Sequence, residues 1–105
     1  MEIENGVILY TIGSDGCLNG LYANKGAKGE VFNEVAKKIT DMSTIEGKYE
    51  CFYFEEGAGV PCNLLIDRNS DGYFEMIWSI GTKPIFKGVG YLMNSTQIVV
   101  NYWDV

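Results

Sequence analysis

The apolar positions of this chain change period twice. Val7-Ile8-Leu9-Tyr10-Thr11-Ile12 is a β-branched and aromatic run that stops at Gly13-Ser14-Asp15-Gly16, and Cys17-Leu18-Asn19-Gly20-Leu21-Tyr22 resumes it. Such residues suit a pleated surface and Asp-Gly suits a tight turn, so the opening predicts a β-hairpin. Past a flexible link over 24–29, Val31, Phe32, Val35, Ile39 and Met42 fall on one helical stripe. Glu30 and Glu34 lie early and Lys37 and Lys38 late, as the helix dipole prefers. The spacing predicts the chain's one helix over 30–42.

From Ile45 the period returns to two. Strands are predicted over 47–55, 62–67, 73–80, 85–93 and 97–103. They are joined by Glu56-Gly57-Ala58-Gly59, Asn69-Ser70-Asp71-Gly72, Gly81-Thr82-Lys83-Pro84 and Asn94-Ser95-Thr96. Links this short make neighbours antiparallel. The expected fold is α+β and β-rich: a curved antiparallel meander of about seven strands, a half-barrel or small barrel, with one helix after the N-terminal hairpin. One domain over 1–105 is expected, since roughly 100 to 150 residues support one core.

Alternation assigns the faces. Phe74, Met76, Trp78 and Ile80 share a side, with Glu75 and Ser79 opposite. The same interior takes Tyr49, Cys51, Tyr53, Leu64, Ile66, Phe86, Leu92, Ile98, Val100 and Tyr102, with Gly88 and Gly90 where the sheet bends or another group comes close. The outer face keeps Phe52, Phe54, Leu65, Ile77, Val89, Tyr91, Val99 and Trp103. A helix shields part of it, which leaves the N-terminal hairpin or a second copy to cover the rest, and a homodimer is expected.

Charge narrows the function classes. Eight Lys and Arg against fourteen Asp and Glu give −6, and the chain has no His. Scattered basic residues make no footprint for a phosphate backbone, so no nucleic acid is expected. The missing His removes the commonest acid/base group near neutral pH and the usual activator of Ser and Cys nucleophiles. Cys17, Cys51 and Cys62 are an odd number without C-x-x-C spacing, which suits reduced thiols, a Cys51–Cys62 bridge being the other reading. The acidic start Met1-Glu2-Ile3-Glu4-Asn5 is unlike a secretory signal, and no apolar run approaches the roughly 20 residues of a spanning helix. The expectation is a cytoplasmic chain with no membrane partner and no cofactor.

Four patterns could carry chemistry. Asp67-Arg68-Asn69-Ser70-Asp71-Gly72 with Glu75 gives the oxygen-ligand half of a calcium loop, making Asp67, Asn69, Asp71 and Glu75 candidate metal ligands. Its twelfth position is Trp78 where a bidentate Glu is required, so the stretch also reads as a polar β-turn. The thiols form a second pattern, with Cys51 inward and Cys62, beside Pro61, the more exposed. Paired carboxylates among Glu50, Glu55, Glu56 and Glu75 form the third, though Glu50 and Glu75 fall on the outer face and Glu55-Glu56 suits a solvated turn. No catalytic residue is assigned. The fourth is the aromatic supply, 13% of the chain. Aromatics on a curved sheet fill its core or line an apolar site, and Tyr49, Tyr53, Trp78, Phe86 and Tyr102 are the candidate ligand-binding residues.

Gly47-Lys48-Tyr49, Trp78-Ser79-Ile80, Phe86-Lys87-Gly88-Val89-Gly90 and Val99-Val100-Asn101-Tyr102 resemble the strand pattern of small bacterial calycin-like proteins of the lipocalin and avidin type, over about the last 60 residues. The resemblance implies a curved antiparallel sheet and assigns no ligand residue. The lipocalin Gly-x-Trp near the N-terminus is absent, and a helix precedes the meander. The expected function is non-enzymatic binding of a small apolar or aromatic ligand, or of a protein partner. The alternatives are a His-independent enzyme using carboxylates or a thiol, and an interaction subunit with a solid core.

Overall fold

A computed structural model describes residues 5–24, 30–41, 43–55 and 58–105. The predicted 24–29 link beyond Asn24, the stripe position Met42 and the turn residues Glu56 and Gly57 lie outside the described residues. Eight antiparallel strands follow one another: β1 (Asn5–Ile12), β2 (Leu18–Asn24), β3 (Phe32–Lys38), β4 (Gly47–Glu55), β5 (Ala58–Arg68), β6 (Phe74–Ile80), β7 (Lys83–Asn94) and β8 (Gln97–Asp104). Each bonds its neighbour in sequence, and β8 returns to β1, so the sheet closes into a barrel. No described helix is long and apolar enough to cross a membrane.

The β-rich antiparallel expectation holds; the helix does not. Residues 32–38 are strand β3, which raises seven strands to eight, and of the half-barrel and small barrel expected the sheet is a closed barrel. The reason is a reversed face. Phe32, Glu34, Ala36 and Lys38 point inward, while Val31, Val35 and Ile39 are exposed on the outside. Charged residues on the core side look wrong for a strand, so the apolar spacing mimicked a helix. Pairing decides the matter, because β3 is bonded on one side to β2 and on the other to β4.

The interior is the expected one at most positions. Tyr49, Cys51, Leu64, Ile66, Phe74, Met76, Trp78, Ile98, Val100 and Tyr102 are buried, joined by Ile8, Tyr10, Leu18 and Tyr22. Ile80 and Leu92 are corrections: they are 48% and 45% exposed, Ile80 closing β6 beyond a register shift and Leu92 standing near the end of β7 just before another. Cys62 is buried instead of exposed, facing Cys51 across the β4–β5 ladder. β5 starts at Ala58, before Pro61, and pairs with β6 only from Asn63 onward. Among the described residues the segment 58–62 therefore pairs with β4 alone, where a proline's missing N–H is tolerated. The predicted four-residue link at Gly81 shortens to Gly81-Thr82, with Gly81 at φ +61°.

The two Ser-Asp-Gly hairpins share one geometry. Gly13 N–H donates to Cys17 O at 2.8 Å and Gly16 N–H to Gly13 O at 3.1 Å; Asn69 N–H donates to Tyr73 O at 2.9 Å and Gly72 N–H to Asn69 O at 3.1 Å. Common turn chemistry accounts for the repeated tripeptide.

Candidate functional site

Glu34 is the side chain that the fold singles out. It points into the barrel from the middle of β3, is 4% exposed, and its Oε2 accepts a hydrogen bond from the hydroxyl of Tyr10. Register explains the reach. Tyr10, Gly20 and Glu34 lie in one row across β1, β2 and β3. A Cβ on Gly20 would stand 2.8 Å from Tyr10 Cε1, so glycine clears the path for the tyrosine ring to cross the intervening strand.

Burial raises the Glu34 pKa, against the pull of Tyr10, Cys51 and Trp78, whose polar hydrogens favour its anion. The Tyr10 hydroxyl is pushed well above its ordinary 10.0 by burial first and by the Glu34 charge second, so it stays a donor. Trp78 is 2% exposed, and its buried indole Nε1 completes no hydrogen bond. Buried donors are nearly always paired, and this one lies near the Glu34 carboxyl and the Tyr10 oxygen without completing a bond to either.

Above the carboxyl is an aromatic cup lined by Tyr22, Glu34, Tyr53, Trp78, Phe86 and Tyr102, with Ile8 and Asn24. Ring centroids run 6.5 Å from Tyr22 to Tyr53, 6.4 Å from Tyr53 to Phe86, 5.6 Å from Phe86 to Tyr102 and 6.0 Å from Tyr102 to Trp78. Tyr22 is fixed by its hydroxyl donating to Phe54 O at 2.9 Å, and Tyr102 by Asn24 Nδ2 donating to its oxygen at 2.9 Å. The Tyr102 ring lies over Gly6, where a Cβ would come within 2.3 Å of it. The remaining cavity is about 20 Å³, room for one water-sized group. Tyr53 and Phe86 are half-buried and border the mouth.

Four of the five residues expected to bind a ligand, Tyr53, Trp78, Phe86 and Tyr102, thus meet in one place. Tyr49 does not join them. It packs at the other end of the barrel beside Lys38, whose Nζ lies 4.9 Å from its ring centre. That ammonium donates to the carbonyls of Thr44, Ile45 and Glu46, the last at 2.8 Å, while Tyr49 Oη donates to Ile45 O at 2.6 Å. Desolvation lowers the Lys38 pKa, with Asp41 and Glu46 opposing it. This end is stoppered by its own loop.

The Asp67–Glu75 stretch is a turn. Asn69 Oδ1 accepts from the amides of Asp71 at 3.0 Å and Tyr73 at 3.3 Å, and Gly72 takes φ +92°. Asp67 and Glu75 sit opposite each other on β5 and β6, exposed. No group of three or more His, Cys, Asp or Glu among the described residues is arranged to hold a metal. Glu50 and Glu75 are exposed, as their outer-face positions predict. The three thiols are free, Cys51 and Cys62 buried and Cys17 half-buried.

Glu34 was the functional candidate that sequence reasoning missed. The available signal was alternation in Phe32, Glu34, Ala36 and Lys38, hidden because it placed two charges in a core. No protein-family model, curated protein or solved structure matches this chain.

Proposed function

We propose that the protein is a non-enzymatic binder that takes the end group of a small molecule into the cup between Glu34 and the rings of Tyr53 and Phe86. The observation that carries this reading is the unpartnered Nε1 of Trp78, buried at the cup beside a buried carboxyl. A solid apolar core needs neither group, and an unpaired buried polar group costs about 1–3 kcal/mol. The resemblance to calycin-like proteins points the same way in fold class. The space differs from a deep apolar chamber, because the protein's own aromatics fill the barrel and leave about 20 Å³. The cup therefore takes an end group, with the remainder of the ligand held at the mouth.

The test is a titration of ¹⁵N-labelled protein with n-pentylamine and with pentan-1-ol, two probes of the same length that differ in the end group. Saturable shifts of the Trp78 indole N–H with either probe support the reading. A resonance that moves with neither overturns it.

A further inference from the structure

We propose that Cys51 and Cys62 form a dithiol site that a low-molecular-weight disulfide converts to a cross-strand bridge as the chain folds, and that the closed barrel then keeps the pair in the state in which it folded. The site is separate from the cup and stands or falls without it. Three observations carry it.

The first is register. Cys51 on β4 and Cys62 on β5 are direct Cα partners, and both are buried on the inner face. Opposed residues of an antiparallel pair lie about 4.5 or 5.5 Å apart at Cα, and a disulfide spans about 4.4–6.8 Å, so either kind of pair fits. The two thiols already lie within hydrogen-bonding reach of each other. Their Cβ atoms must close from about 4.5–5.5 Å to about 3.8 Å. Cys62 ends the segment 58–62, which among the described residues pairs with β4 alone, so this small approach does not drag β6 with it.

The second is the position of the third thiol. Leu18, Ala36, Cys51 and Cys62 share one row across β2, β3, β4 and β5. Cys17, next to Leu18, therefore has the whole of β3 between itself and Cys51. Two inter-strand spacings are roughly 9.5 Å, beyond the about 7 Å at Cα that a bridge tolerates. The native register thus accepts one pairing of the three.

The third is burial. Cys51 is 1% exposed and Cys62 7%, so the folded barrel keeps a tripeptide-sized disulfide away from both sulfurs, and the exchange belongs to the chain before closure. One protein thiolate attacks a sulfur of the small disulfide, making a mixed disulfide and releasing one small thiolate. The other protein thiolate attacks the protein sulfur of that mixed disulfide, closing the bridge and releasing the second. Two protein thiols are oxidised, one small disulfide is reduced to two thiols, and the two protons leave on them. Once the barrel closes, the same burial keeps reducing thiols from the bridge.

The test is refolding of the wild-type chain from urea against glutathione disulfide or against dithiothreitol, followed by mass spectrometry and a second urea unfolding of each product. The oxidised product is expected to be a single chain lighter by two hydrogens, with Cys51 joined to Cys62 and Cys17 outside the bridge. Its unfolding equilibrium constant is expected to be lower on the order of a hundredfold, because the bridge restricts the unfolded chain and suits the native register. Dithiothreitol should open it far more slowly in native buffer than in urea. A bridged product that unfolds at lower urea than the reduced one would show that the barrel does not accept the bridge. Bridges that include Cys17, or equally fast reduction in buffer and in urea, overturn the proposal as well. Cys17→Ser, which keeps the pair, should reproduce the gain, and Cys62→Ser should abolish it; a gain that survives Cys62→Ser would assign it to another pairing.

Discussion

Tyr10 and Glu34 meet across a glycine: they stand two strands apart in one row, and the bare backbone of Gly20 lets the phenol donate to the carboxyl. The pair is buried on every side, with Cys51 and Trp78 as its other polar neighbours and Tyr53 opposite on β4. Its protonation is thereby coupled to folding.

The Glu34 pKa is raised from an ordinary 4.5, so the folded state binds this proton more tightly than the unfolded state. For such a group stability is greatest below the ordinary value, falls as pH rises towards the raised value, and levels off above it. Urea unfolding of wild type and Glu34→Gln across this range is expected to show that loss in the wild type alone. Parallel curves would rule the coupling out.

Lys38 holds the closed end. Replacing it by Met keeps the stem and removes the donors to Thr44, Ile45 and Glu46, leaving three carbonyls to find water. A loss of about 3 kcal/mol is expected in denaturant unfolding, with probe binding at the other end unchanged. A variant as stable as wild type would show that the stopper contributes nothing.

Gly6→Ala tests the ring bed. Its Cβ would come within 2.3 Å of Tyr102, which must swing towards Phe86 and the cup. Overpacking of this kind costs about 1–3 kcal/mol, and probe binding is expected to be lost. Retained stability and binding together would mean that Tyr102 has another place to go.

The thiols divide by position. Burial, the Glu34 charge and, foremost, hydrogen bonding with Cys62 push the Cys51 thiol upward, and a thiol that stays protonated is a poor nucleophile. Iodoacetamide is expected to label Cys17 in the folded protein, and Cys51 and Cys62 only after denaturation. Rapid native labelling of Cys62 would contradict its placement.

On the outside, Val35, Phe52 and Pro61 are exposed register neighbours on β3, β4 and β5. If the homodimer expected from the sequence uses this stripe, sedimentation velocity over a concentration series will show a dimer that Phe52→Glu returns to monomer. A monomer throughout would retire it.

Alternation made β4, β6 and β8 legible, because their inner faces are apolar and a strand with one wet side advertises its register. Gly88 and Gly90 were legible as inner positions, and at Gly88 the reason is the Asn101 carbonyl and the Trp78 ring, each 3.0 Å from where a Cβ would sit. β3 was illegible for the same reason that it matters. A site that needs a carboxyl inside breaks the pattern by which an inside is recognised, and the outward Val35 and Ile39 then supplied a false period. The cup itself was visible as a set of aromatics, but its floor was not, since Glu34 faces inward only once β3 pairs as a strand with β2 and β4.

Among the described residues the segment 58–62 pairs with β4 and with no strand on its other side, so it presents backbone groups of the kind to which a further strand adds. Pro61 stands within that segment and has no N–H to give, and a proline on an edge is poorly suited to receive a further strand.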